Sequence, residues 1–208
     1  MPQEPTVKRA VSFFDGQNLF RHAKDAFGHH HPNYDPGKLA VAVCDANGWS
    51  ETGVHFYTGV PEAEHSAMWH GYWTRRLTAM RRAGITVTSR RLRHRIERIT
   101  LPDGTEYQAP VMREKGIDLR LGLDVVRMAR NRELDVAVIF SQDQDLAEVA
   151  REIRDISRSQ GRWLKIVSAF PDASGATARR GISGTDWFRM DRAFYDACLD
   201  TRDYRPPR

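Results

Sequence analysis

LDVAVIFSQDQDL, residues 134–146, decides the fold. Residues 134–140, LDVAVIF, end in an apolar run rich in β-branched and aromatic residues, so they read as a buried strand. Ser141 and Gln142 then break the run, and Asp143 and Asp145 follow with one residue between them. A charge at the mouth of a buried strand is costly unless water reaches it or a cation neutralises it. An amphipathic helix, LAEVAREIRDISRSQG (146–161), comes next, and a second apolar run, WLKIVSAF (163–170), follows that. Strand, helix, strand is the unit of a parallel sheet.

The same alternation extends in both directions. AVSFF (10–14) is a short buried strand ending at Asp15, followed by a helix with Leu19, Phe20, Ala23, Ala26 and Phe27 at helical spacing and Gly28 as its stop. Asp35-Pro36 is an N-cap with Pro in the first turn of a second helix. VHFYTG (54–59) is the second strand. A long helix over 62–84 follows, with Met68, Tyr72, Leu77 and Met80 in its buried stripe. ITVTSRRLRHR (85–95) is the third strand, and GIDLRLGLDVVRMARNR (116–132) an amphipathic helix feeding the fourth strand, 134–140. PDGT, flanked by β-type residues, makes 98–112 an inserted hairpin arm. DWFRM (186–190) is a last short strand or turn. The expected fold is therefore a single α/β domain over 9–199. It is doubly wound, with a mainly parallel sheet of about five strands, helices on both faces and a small hairpin insertion. Residues 1–8 and 200–208 are expected to be flexible termini.

Composition narrows the function. The chain has 208 residues, enough for one domain with a sizeable core at 40% apolar content. No apolar run approaches the ~20 residues that cross a bilayer, which argues against a membrane partner. Two cysteines, Cys44 and Cys198, make neither a disulfide framework nor a metal spacing, and read as free thiols of a reducing cytoplasm. The net charge is +5, which suits a polyanion. The arginines are concentrated: nine lie between Arg75 and Arg98, against one acid, Glu97. Arg90, Arg91, Arg93 and Arg95, with Arg179 and Arg180 in the small-residue loop 171–185, are candidate contacts to a phosphate backbone.

In open α/β sheets, ligands bind beyond the carboxyl ends of the strands. Asp15 ends the first strand there, and Asp143 and Asp145 follow the fourth. Asp118 begins the helix before the fourth strand. Six residues on, Asp124 is rotated by about 240° on an ideal helix, so both cannot point the same way from one regular helix. Converging carboxylates raise one another's pKa unless a cation neutralises them. Oxygen-only ligands select hard cations, Mg²⁺ or Mn²⁺, and not zinc. Asn18, on the first turn after Asp15, is placed to orient substrate or water. Capping offers a competing role for Asp15, Asp118, Asp143 and Asp145, and it does not exclude metal contact.

VSFFDGQNLF, EKGIDLRLGLDVVRMA and LDVAVIFSQDQDL resemble the NYN family of PIN-like nucleases, in its bacterial branch. Asp15 and Asn18, then Lys115, Gly116 and Asp118, then Asp143 and Asp145 match that family's motifs in order and type, over about residues 9–190. Gln142 stands where the family commonly has Gly, and Leu146 where it often has Phe. The resemblance implies a metal-dependent endoribonuclease. Its implied catalytic set is Asp15, Asn18, Asp118, Asp143 and Asp145, with the four aspartates as metal ligands and Asp124, Lys115 and Ser141 as outer-shell residues. RNA is the implied partner. Two other readings compete: a non-catalytic RNA-binding or regulatory module, and a small-molecule enzyme such as a phosphatase or oxidoreductase. Intact acids favour an enzyme over the first. No G-x-G-x-x-G follows the first strand, where DGQNLF stands, so a dinucleotide site is not supported. Trp69 and Trp73 suggest a homo-oligomer seam, Trp163 and Trp187 read as core, and His29–His31 reads as an exposed loop.

Overall fold

In a computed structural model, the run 136–140 becomes the strand next to the centre of a six-stranded, wholly parallel sheet. The structure describes residues 2–31, 33–100, 106–113 and 116–205, with backbone alone for 93–100 and 107–113. The elements in chain order are β1 (Arg9–Asp15), α1 (Gly16–Phe27), α2 (Pro36–Asn47), β2 (Ser50–Val60), α3 (Ala67–Arg82), β3 (Thr86–Arg91), β4 (Arg93–Thr100), β5 (Glu106–Arg113), α4 (Ile117–Arg130), β6 (Val136–Phe140), α5 (Ala147–Gln160), β7 (Lys165–Pro171), β8 (Asp186–Met190) and α6 (Arg192–Asp196). The sheet order is β3-β2-β1-β6-β7-β8. The chain winds outward from β1 through β2 to β3, then restarts at β6 and winds the other way. β1 and β6 are thus neighbours at the topological switch, paired in register from Ala10↔Val136 to Phe14↔Phe140. That crevice is where such sheets bind ligands.

Alternation along β1 divides the core. Phe14 faces a cluster with Leu19, Leu39, Phe56, Tyr72 and Trp73, under α1, α2 and α3. Val11 and Phe13 face Ile117, Leu121, Val125, Ala150 and Ile153, under α4 and α5. Both faces are covered, which is why the central strands lack polar alternation.

Several expectations are corrected. The sheet has six strands, because DWFRM pairs with β7 as a true parallel strand. The third strand stops at Arg91. Leu92 is buried, and its N–H donates to the Val60 carbonyl, 2.9 Å. Beyond it the chain leaves the sheet, and the arm begins at Arg93, with β4 and β5 antiparallel from Arg93↔Arg113 to Thr100↔Glu106. The arm is longer than 98–112, and its PDGT turn lies outside the described residues. The long helix starts at Ala67, and Met68 is exposed because it lines a cavity on that helix's outer side. The expected tail at 200–205 is packed: Tyr204 is buried, its hydroxyl donates to Asp200, 2.7 Å, and its ring stands edge-on to Tyr72. Trp73 is buried in the core, so the Trp69/Trp73 seam is not on offer to another chain. Trp187, expected in the core, is 41% exposed on the edge strand β8.

Candidate metal centre

Asp15 is the last residue of β1 and the N-cap of α1. Its Oδ1 accepts the Asn18 N–H, 3.1 Å. The following glycine is required by close approach: a Cβ on Gly16 would lie 2.6 Å from the Phe56 ring and 3.0 Å from the Tyr57 carbonyl. α1 therefore starts directly off the strand and aims Asp15 at the switch crevice.

Asp118 arrives from the other face. The N-cap of α4 is Gly116, whose φ of 79° is left-handed, and Asp118 sits in the first turn, not at the cap. A Cβ on Gly116 would lie 2.9 Å from the Arg90 guanidinium, so β3 and the start of α4 are in contact. Asp143 follows β6 in extended conformation and caps a 3-10 turn, Gln144–Leu146, its Oδ1 accepting the Asp145 N–H at 3.0 Å.

These three aspartates offer oxygens that all lie within 4.8 Å of one another. Asp15 is buried, and Asp118 and Asp143 are half-buried. Burial, with Asp118 and Asp143 adding their charges, pushes the Asp15 carboxyl up to about 7. Asp118 is also raised, by burial first and then by Asp143 and Asp145. Ser141 ties the group together: its hydroxyl donates to Asp15 Oδ2, 3.2 Å, and accepts the Asp143 N–H, 3.1 Å. Asn18 Oδ1 accepts the Gln142 N–H, 2.9 Å. A closely spaced, all-oxygen, partly buried set, with Asp15 and Asp118 raised by burial and neighbouring charge, fits a hard divalent cation.

Two expected acids are not in this group. Asp145 diverges because the chain turns into the 3-10 helix at Gln144. It is exposed, near enough for its charge to act on Asp118. Asp124 points away, as the helical rotation required. It is buried against the Tyr57 hydroxyl, 3.0 Å, and the Arg120 guanidinium, 2.8 and 3.0 Å, with Arg127 at 3.6 Å. These bonds pin α4 to β2 and occupy the carboxylate that was expected in the outer shell of the centre. Lys115 lies outside the described residues.

The glutamines of SQDQD serve the loop 171–185. Gln142 Nε2 donates to the carbonyls of Ala178, 3.1 Å, and Arg180, 3.0 Å. Gln144 Nε2 donates to the Gly181 carbonyl, 3.1 Å, and its Oε1 accepts from the Ser183 N–H and hydroxyl, 3.2 and 2.8 Å. At its other end the loop is held by Asp25 of α1, which accepts from the Thr177 N–H and hydroxyl, 2.7 and 3.0 Å. The loop thus forms a wall from α1 to the 3-10 turn, beside the acids.

The arginines divide. Arg180 is exposed on that wall and donates to the Ser183 hydroxyl, 3.1 Å. Arg179 is engaged by Asp172, 2.8 Å. Arg90 and Arg91 are exposed at the end of β3, with Glu62 at 3.6 Å from Arg91. The side chains of Arg93 and Arg95 lie outside the described residues. Arg76, counted in the basic run, is 1% exposed in the interior. Two residues near the acids escape the sequence reading: Arg21, whose charge lowers the Asp118 pKa, and half-buried His22, held below its ordinary value by burial and acted on by Asp143. Both follow Asn18 at helical spacing, three and four residues on, and that periodicity is the signal that could have found them.

The NYN domain family model matches residues 9–180. Among solved structures, a Vibrio parahaemolyticus protein of unknown function superposes with a TM-score of 0.55 at 15% identity, covering 95% of this chain and 99% of that one. That likeness is one of fold. No curated protein matches the chain.

Proposed function

The chain belongs to the NYN domain family, within the PIN-like nuclease superfamily, and we propose that it is a divalent-metal-dependent endoribonuclease. The observation that carries this reading is the convergence of Asp15, Asp118 and Asp143, from three separate elements, to within 4.8 Å at the switch crevice. These three would hold Mg²⁺ or Mn²⁺, with Asp145 adding negative charge at the rim. Such a cation supplies Lewis-acid polarisation of the phosphodiester and activation of water.

The chain's own residues do the rest. Ser141 and Asn18 fix the carboxylates by bonding Asp15, Asp143 and the Gln142 backbone. Asn18 turns Oδ1 inward, which leaves its amide N–H₂ as the donor to orient substrate. Arg180 on the loop wall, and Arg90 and Arg91 at the end of β3, would meet the RNA backbone with planar, permanently charged forks. His22, half-buried on α1, feels the Asp143 charge, while burial opposes its protonation.

Asp143→Asn keeps the shape and removes one charge. It should abolish Mg²⁺- or Mn²⁺-dependent cleavage of a labelled RNA, while binding of that RNA is kept or improved as repulsion of the phosphates is relieved. Cleavage at the wild-type rate, in preparations free of contaminating nuclease, would reduce SQDQD to a turn cap. RNA binding without cleavage by the wild type would favour the non-catalytic module.

A further inference from the structure

A cavity lies apart from the three acids, beside α3. It is bounded by the N-terminal half of α3, the loop through His30, His31 and Asn33, and the packed segment 200–205. Its volume is about 450 Å³, within the ~300–1,000 Å³ typical of small-ligand sites.

Its walls are aromatic. Trp69 and Tyr204 both stand nearly perpendicular to Tyr72, at centroid separations of 5.3 and 6.0 Å. A planar group entering here meets ring faces and edges instead of water. The charge set deepest in the lining is Arg76, 1% exposed. Its guanidinium donates to the Tyr34 carbonyl, 2.6 Å, and the Tyr72 hydroxyl, 3.2 Å, and lies 5.0 to 6.0 Å from the rings of Tyr34, Trp73 and Tyr72. Burying a guanidinium is costly, and here it is placed against a cavity wall.

The rim is charge-balanced, so the net positive charge of the lining comes from Arg76. Arg202 and Arg205 line the cavity, each bonded to an acid two residues back, Asp200 and Asp203. Those pairs hold the rim guanidinium groups in place. His31 registers the field inside: its protonation is opposed by burial and then by Arg76, Arg205 and His29, with Asp203 acting the other way. A ligand for this cavity is flat and aromatic at one end and anionic at the other.

We propose that this cavity is a nucleotide subsite, in which the base stacks against Trp69 and the tyrosines and the phosphate lies toward Arg76 and the histidine rim. The nucleotide is either a free mononucleotide or one residue of an RNA chain. Tyr34 links the subsite to the acid edge, since its carbonyl holds Arg76 and its hydroxyl donates to the Gly16 carbonyl, 3.2 Å, next to Asp15. The inference does not depend on the ribonuclease reading, because stacking and phosphate contact require no turnover.

The test is titration of AMP and UMP into metal-free full-length Asp143→Asn protein, followed by calorimetry and tryptophan fluorescence. Adenosine and inorganic phosphate serve as the two half-ligands. Both mononucleotides should bind, and each half-ligand more weakly. Trp69→Leu should weaken AMP by about tenfold, the loss expected for one base–ring stack. His31→Ala, at an exposed position, provides a second variant safe for folding and should weaken AMP but not adenosine. If a short 5′-phosphorylated oligoribonucleotide displaces AMP, the natural occupant is RNA. If it does not, the occupant is a free nucleotide. Failure of AMP and UMP to bind, or AMP binding unchanged in both variants, overturns the proposal. Because the titration omits metal and uses the Asp143→Asn chain, that failure is separate from any loss of cleavage.

Discussion

Replacing Asp15 by Asn should stabilise the metal-free protein, and the size of the gain should depend on pH in one direction. The Asp15 carboxyl, 4% exposed and facing two other aspartates, is raised from an ordinary 3.8 to about 7. At ~1.4 kcal/mol per pH unit this corresponds to a penalty of ~4 kcal/mol for keeping the site ionised. Between those two pH values the folded protein holds a proton that the unfolded chain has released. Stability contributed by this site therefore falls as pH rises from about 4 to about 7 and is flat above. His22 acts in the opposite sense, because its pKa is lowered on folding, but it is common to both proteins and cancels in the difference.

Asn keeps the cap, since its Oδ1 still accepts the Asn18 N–H. The Ser141 hydroxyl must turn from donor to acceptor, a cost of about 1 kcal/mol. The expected gain is thus ~3 kcal/mol at pH 8 and about zero or slightly negative at pH 4. Urea unfolding of both proteins in EDTA, at several pH values across that range, measures it. Adding Mg²⁺ or Mn²⁺ at about 100 times its Kd should restore ~2.7 kcal/mol to the wild type and little to the variant. A difference between the proteins that does not change with pH would refute the reasoning. It would mean that Asp15 is solvated or paired in a way that its burial and neighbours deny.

Asp124→Asn should destabilise the fold by about 1–3 kcal/mol, through weakened bonds to Tyr57 and Arg120, while Mn²⁺ affinity measured by calorimetry stays unchanged. Gln144→Ala removes the bonds to Gly181 and Ser183, so steady-state cleavage assays should show KM rising several-fold with a smaller change in kcat. Reversing Arg180 to Glu should weaken RNA binding, measured by fluorescence anisotropy, more than reversing Arg179, which Asp172 already neutralises. Reversing Arg90 and Arg91 together should lower the salt slope of binding by roughly 0.7 for each phosphate that is no longer neutralised.

What was legible in the chain was whatever local geometry controls. An apolar run that stops at an acid places that acid at a strand's carboxyl end, so Asp15 and Asp143 were readable without tertiary information. The helical rotation between Asp118 and Asp124 said that both could not point the same way, but Asp124 was still expected near the centre, because its partner Tyr57 is brought to it only by folding. Charge counting failed where folding sorts the charges. Arg76 belongs by sequence to the basic run, yet it is enclosed by Tyr34, Tyr72 and Trp73, residues that a helix and a distant loop bring together. Tyr204 looked like part of a free tail because its partner, Tyr72, lies far away in sequence. SQDQD itself divides along the same line. Its two acids could be read from the strand that precedes them, and the turn at Gln144 then sends Asp143 inward and Asp145 to the rim. Its two glutamines could not be read, because their partners at 178–183 belong to a loop without a pattern of its own. Their side chains make that loop a wall of the crevice, so one short segment positions both an acid of the centre and the loop that carries Arg180.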